Sequence, residues 1–178
     1  MRKKSTLVPG LLALVLISFS CSKRNDVKSD PVIDEKNLTA CPSNASCEFL
    51  FTEQADVNPV PGTLMTGAYR LFWSRVVNQG VSSVLYIKAP MQGNSFVLNK
   101  SDITGGKIEI SRSCPACLFA ASKLVDGYVK GINLSPDKPA DQTRWILEAQ
   151  IISESVYGTP IRDTVSVKQY FYPNFVYN

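Results

Sequence analysis

From Arg144 to Ser153 the chain reads RWILEAQIIS, and its apolar residues recur at every second place. Trp145, Leu147, Ala149 and Ile151 fall on one side of an extended chain. Arg144, Glu148 and Gln150 fall on the other, with Ile146 and Ile152 as exceptions. Successive side chains of a strand point to opposite faces, so this period of two commits the segment to a half-buried strand. The pattern returns in GKIEIS, where Ile108 and Ile110 oppose Lys107 and Glu109 just after the turn signal Gly105-Gly106. CEFLF, VSSVLYIK, SFVLN, KLVDGYVKGINL and TVSVKQYFY read as further strands. MQGN, DITGG and SPDKPADQ read as the turns between them. Many short strands with turns between them bury their apolar faces by stacking or closing sheets. The expected fold is all-β, a single antiparallel β-sandwich or barrel-like domain.

One stretch satisfies two periods. In LMTGAYRLFWSRVV, Met65, Ala68, Tyr69, Phe72, Trp73 and Val76 also recur at helical spacing. Gly67 and the aromatic and β-branched content favour a strand over residues 64–77. NQG followed by VSSVLYIK would then complete a hairpin.

Residues 1–26 read MRKKSTLVPGLLALVLISFSCSKRND. Arg2, Lys3 and Lys4 form a positive head. The apolar run Leu11 to Phe19 has the length of a signal-peptide core and is well short of a membrane span. Ser18-Phe19-Ser20-Cys21 resembles the cleavage box of bacterial lipoproteins, in the relaxed form familiar from the Bacteroidota type, with Ser18 where Leu is usual. The resemblance implies a signal peptide at 1–20, removed to leave an acylated Cys21 as membrane anchor. Ser22 after the cysteine implies passage to the outer membrane, and the lack of an acidic run after it implies the periplasmic leaflet. Removal of Arg2, Lys3 and Lys4 changes 19 basic against 15 acidic residues to 16 against 15. That balance gives no reason to expect nucleic acid as a partner. Residues 21–40, with SKRNDVKSDPVIDEKNLTA after the cysteine, are polar and poor in aromatics and read as a flexible tether. The globular domain is then expected at 41–178. Within it the succession GKIEI, DGYVKG, a polar loop and WILEAQI, about a third of the chain, loosely resembles small β-rich envelope lipoproteins of unknown function.

Beyond Cys21 the chain holds Cys41, Cys47, Cys114 and Cys117. An even number in an oxidising compartment is the arithmetic of two disulfides. Three pairings are open. Local pairs constrain the unfolded chain least and cross-pairs most, while Pro115 suits the second position of a turn and so a Cys114–Cys117 bridge. CPAC also resembles the dithiol of thioredoxin-like proteins, which implies a periplasmic thiol–disulfide oxidoreductase as the alternative function. That chemistry needs a helix after the second cysteine to lower the first thiol's pKa. Here Gly127 and Gly131 interrupt LFAASKLVDGYVKG, which continues as a strand.

The sequence has no histidine, so neither Ser-His-Asp nor Cys-His activation is available, nor any His-ligated metal. No nucleotide-binding glycine pattern appears, and no carboxylate pair stands out as catalytic. No cofactor is expected. Asp137 and Asp141 are two acids in one polar loop, the ordinary composition of a solvated turn rather than a calcium site. The most distinctive surface stretch is VKQYFYPNFVYN. If Val165 and Val167 point inward, Lys168, Tyr170 and Tyr172 share the outer face, with Phe175 and Tyr177 beyond. Such rings would offer a platform to a glycan or an envelope protein, or would simply fold back on the sandwich edge. The expected function is a lipid-anchored, non-catalytic binding or accessory domain of the cell envelope.

Overall fold

The computed structural model describes residues 30–60 and 62–175. Nine strands run through them: β1 (Ala45–Val57), β2 (Leu64–Thr66), β3 (Tyr69–Asn78), β4 (Val81–Ala89), β5 (Ser95–Leu98), β6 (Ile108–Ser113), β7 (Ser122–Asn133), β8 (Trp145–Ser155) and β9 (Arg162–Pro173). Their hydrogen-bonded order is β5-β7-β8-β9-β1-β3-β4-β6, with β2 attached to β1. The pairings are antiparallel except for a parallel contact of β1 with β9, confined to Leu50–Tyr172 and Phe51–Pro173.

That short joint lets the path fold over into two layers. Phe51, Phe72, Leu85 and Ile87 of the first sheet pack in one core with Trp145, Leu147, Ala149, Ile151 and Phe171 of the second. Phe72 sits at the centre, its ring 5.3–5.7 Å from those of Phe51, Phe96, Trp145 and Phe171. Offset and edge-on pairs at this spacing add to the burial of the rings themselves. The free edges, β5 and β6, do not pair. The fold is an open all-β sandwich and not a closed barrel.

The chain crosses from β5 to β6 by a helical turn, Lys100–Asp102 continuing as Ile103–Lys107. Asn99 caps it through a reciprocal box with Asp102, and Ile103 is buried in the core. DITGG was expected as a plain turn. Its one apolar side chain, pointing into the gap between the sheets, draws it into a helical coil.

Residues 64–77 are extended, as β2 and β3. Phe72 faces the core while Leu71 and Trp73 are buried on the opposite face. A strand covered on both sides loses its alternation, which is why a helical spacing fitted as well. Gln79 and Gly80, both with positive φ (49° and 79°), close the β3–β4 hairpin. This is the backbone of a two-residue turn that matches strand twist. In β7 the Phe96 ring lies against Gly131, where a Cβ would sit 2.2 Å from Cε1. Gly131 is therefore a packing requirement of a strand, not an interruption of a helix.

Residues 30–40, expected within a flexible tether over 21–40, contact the domain. Ile33 is buried, Ser95 donates to Asp30 and the Tyr170 hydroxyl donates to Glu35. Thr39 donates its N–H to Lys168 O (2.7 Å) and accepts from Lys168 N–H through its hydroxyl (2.8 Å). The reason is geometric. Because β9 meets β1 only at Tyr172 and Pro173, the backbone of Lys168 before them needs another partner, and Thr39 supplies it. The same strap lies on the outer side of the second sheet, where Ile146 of β8 is also fully buried.

Candidate functional site

The outer face of the first sheet carries a second apolar cluster: Ala55, Leu71, Trp73, Val84 and Tyr86, with Leu50, Val57 and Leu64 against it. Strand register arranges part of it as a grid. Leu50, Trp73 and Tyr86 stand side by side across β1, β3 and β4, and the next row is Glu48, Arg75 and Val84. Beyond a bulge between Thr52 and Ala55, β1 turns with β2 into a hairpin, placing Leu64 against the cluster. Lys88 fixes the hairpin down. Its ammonium contacts Asp56 at 2.8 Å and Glu109 at 2.5 Å. Burial works to lower its pKa, but the hydrogen bonds it donates to Asp56 and Glu109 outweigh it and hold the ammonium charged.

Between hairpin and sheet remains a cavity of about 190 Å³, bounded by Glu48, Leu50, Leu64, Trp73, Val84 and Tyr86, with Arg75 at the mouth. Trp73 and Tyr86 are only 9 % and 5 % exposed. Neither the Trp73 indole N–H nor the Tyr86 hydroxyl makes a hydrogen bond within the described residues, yet neither atom is sealed from solvent. Both residues line the cavity, so a ligand entering from outside could bond these solvent-reachable groups. At the mouth Arg75 and Glu48 approach to 3.8 Å, each about half exposed. That is an ion pair without a close hydrogen bond, which leaves both groups able to bond elsewhere. Burial raises the Tyr86 pKa, with Arg75 opposing and Glu109 adding to the shift, so the hydroxyl stays protonated at neutral pH.

We compared the chain with models of known protein families, with curated proteins and with solved structures. It matches none. The site therefore has to be read from its own chemistry.

The residues singled out from sequence lie elsewhere. Val167 and Val165 do pack inward, which puts Tyr170 and Tyr172 on the outer face of the second sheet. Tyr170 is already engaged: Arg144 stacks 4.7 Å from its ring and Glu35 accepts from its hydroxyl. Tyr172 and Phe175 are exposed, at 50 % and 64 %, but they do not share a cavity. Tyr177 and Cys21 lie outside the described residues.

The four other cysteines are paired locally, Cys41 with Cys47 and Cys114 with Cys117, at Cα separations of 5.9 and 5.3 Å. The second pair closes a turn after β6, with Cys117 N–H donating to Cys114 O and Pro115 in the turn. No helix starts at Cys117. Leu118 and Phe119 follow as exposed chain before β7, so a helix N-terminus to acidify a thiol is missing at this position. Asp137 and Asp141 stay in the exposed loop before β8, and no group of three or more metal-ligating side chains forms among the described residues.

The sequence did not point to Trp73, Tyr86, Glu48 or Arg75. The signal available was the double apolar character of RLFWSRVV. A strand with large rings on both faces needs a second cover besides the core, and Trp73 is the ring on the second face.

Proposed function

We propose that the protein is a non-catalytic binding domain held in the bacterial cell envelope by a lipid on Cys21, with the Trp73–Tyr86 cavity as its ligand site. The observation that carries the binding role is that cavity: it is lined by two nearly buried aromatic side chains whose polar atoms bond no described residue and remain open to solvent. The anchoring role is supported by the sequence of residues 1–21, a positive head, a short apolar core and a cleavage box ending on Cys21. No helix of the described residues is long and apolar enough to cross a membrane. Attachment at the periplasmic face of the outer membrane follows from the resemblance of Ser22 and its neighbours to lipoprotein sorting signals.

Each half has its own test. Cys21→Ser should release the protein from the membrane fraction or leave its signal uncleaved. Normal processing with full membrane retention would end the lipoprotein reading. For binding, a polar fragment library is titrated into the full chain in detergent while the Trp73 indole N–H resonance is followed. Fragments that shift Trp73 and leave the Trp145 indole unmoved are expected. A library that moves neither would end the binding reading.

A further inference from the structure

The geometry points to a neutral saccharide ring as the occupant of the Trp73–Tyr86 cavity. This rests on the binding reading above and gives it a ligand class. Three features of the site select that chemistry.

The first is the division of the lining. Leu50, Leu64, Trp73, Val84 and Tyr86 offer aromatic and aliphatic surface, while Glu48, Arg75 and Asn174 add polar side chains. A pyranose divides the same way, with C–H groups on its faces and hydroxyls around its rim. The indole and phenol are neighbours on adjacent strands, and aromatic rings so placed suit a compact, partly apolar ring. A cavity of about 190 Å³ matches one such ring and not an extended oligomer.

The second is charge. Glu48 and Arg75 face each other at 3.8 Å, so the mouth holds one positive and one negative group. A carboxylate or phosphate ligand would meet Glu48 as well as Arg75, and an amine would meet Arg75 as well as Glu48. A hydroxyl donates and accepts at once. It can bridge guanidinium and carboxylate without disturbing either charge.

The third is the pattern of donors and acceptors. The Trp73 N–H only donates, the Tyr86 hydroxyl does both, Arg75 only donates and Glu48 only accepts. A hydrocarbon chain would offer none of these groups a partner. A peptide added as a strand needs backbone partners, and the site lies on a sheet face where β1, β3 and β4 are already paired with one another. What remains is a ring that carries its own hydroxyls.

The test uses the full chain in detergent and a defined panel. Its neutral members are glucose, galactose, mannose and N-acetylglucosamine. The charged analogues are glucuronic acid and glucosamine, and octanol and free phenylalanine serve as non-sugar probes. Binding is read from the Trp73 indole N–H shift, with melting temperature recorded for every variant. At least one neutral sugar should bind in the millimolar range and more tightly than its charged analogue. Tyr86→Phe, which keeps the ring and removes only the hydroxyl, should weaken that sugar about tenfold, the loss of roughly one good hydrogen bond, at nearly unchanged melting temperature. Arg75→Gln should weaken it less. A charged sugar, octanol or phenylalanine binding more tightly than every neutral sugar would overturn the proposal. So would an unaltered affinity in Tyr86→Phe. If polar fragments shift Trp73 but no sugar does, the saccharide proposal fails and the binding role stands; if nothing shifts Trp73, both fail.

Discussion

The two outer faces of the sandwich carry aromatic side chains in similar settings and treat them differently. On the second sheet Tyr170 is served by the protein itself: Arg144 covers one side of its ring and Glu35, on the strap of residues 30–40, accepts from its hydroxyl. On the first sheet Trp73 and Tyr86 are more deeply buried, yet their polar atoms bond no described residue and stay open to solvent. Depth of burial alone does not distinguish a packed ring from a binding wall. What distinguishes them is whether the polar end of the ring has been satisfied. At Tyr170 the chain supplies the partner itself; at Trp73 and Tyr86 it does not.

The largest expected effect tests how firmly the first face is held. Trp73→Ala removes a ring that contacts both sheet and hairpin, and should cost about 3 kcal/mol or more, through lost transfer energy and the space left behind. Urea denaturation measures it. A loss below about 1 kcal/mol would mean that the hairpin collapses freely onto the sheet, since a site that refills its own void shows little cavity penalty. The cavity would then be loose packing and not a formed site.

A smaller effect is expected from the strap on the other face. Ile33→Ala should cost roughly 2 kcal/mol, at the low end for a buried isoleucine because its segment lies at the edge of the domain. Hydrogen exchange of the Lys168 N–H, which donates to Thr39, should accelerate in the variant. Unchanged exchange would show that the strap does not act as a cover, and the contrast between the faces would weaken.

Next comes the exposed pair. Tyr172→Ser should cost about 0.5 kcal/mol, as surface substitutions do, and Tyr170→Ser measurably more, because it removes the stack with Arg144 and the bond to Glu35. Equal costs would mean that Tyr170 is no better integrated than its exposed neighbour.

Much of this architecture is legible in the sequence, and the limits have identifiable causes. The alternation of RWILEAQIIS assigned Trp145, Leu147, Ala149 and Ile151 to the core because β8 lies inside a sheet with one face turned to a partner layer. Ile146 broke the pattern because it is buried on the outer face, beside Tyr170, the residue that Glu35 of the strap meets. The segment DPVIDEKNLTA has the composition of a tether; one isoleucine and a few backbone and side-chain bonds dock it, and composition does not register so few contacts. The cavity was hidden for a related reason. Glu48, Trp73 and Tyr86 become neighbours only through the register of three strands, whereas Tyr170, Tyr172 and Phe175 cluster in the sequence itself and so drew attention first. The cysteine pairing was open because both local and distant bridges agree with an even count, and only the placement of β1 and β6 decides between them.

The smallest expected effect concerns alkaline pH, and it separates the faces by mechanism. Tyr86 and Tyr170 both have pKa values above the ordinary tyrosine value of 10.0, Tyr86 chiefly through burial and Tyr170 chiefly through its hydrogen bond to the Glu35 carboxylate. A raised pKa in the folded state means that folding holds the proton more tightly than the unfolded chain does. The associated stability is intact below pH 10.0, and is lost as the pH rises through the folded-state values. Melting temperature should therefore fall above that pH, beyond what general lysine deprotonation produces in a matched variant. Tyr86→Phe should remove part of this fall, because a buried hydroxyl must either ionise in a poor environment or force the face open. Tyr170→Phe should remove less, since its ring is solvent-facing and water screens the carboxylate. Added salt sharpens the distinction: it weakens the influence of Glu35 and leaves the cost of burial untouched. Should Tyr170→Phe flatten the alkaline fall more than Tyr86→Phe at every ionic strength, the first face is the more hydrated of the two, and Tyr86 is not the wall of an enclosed site.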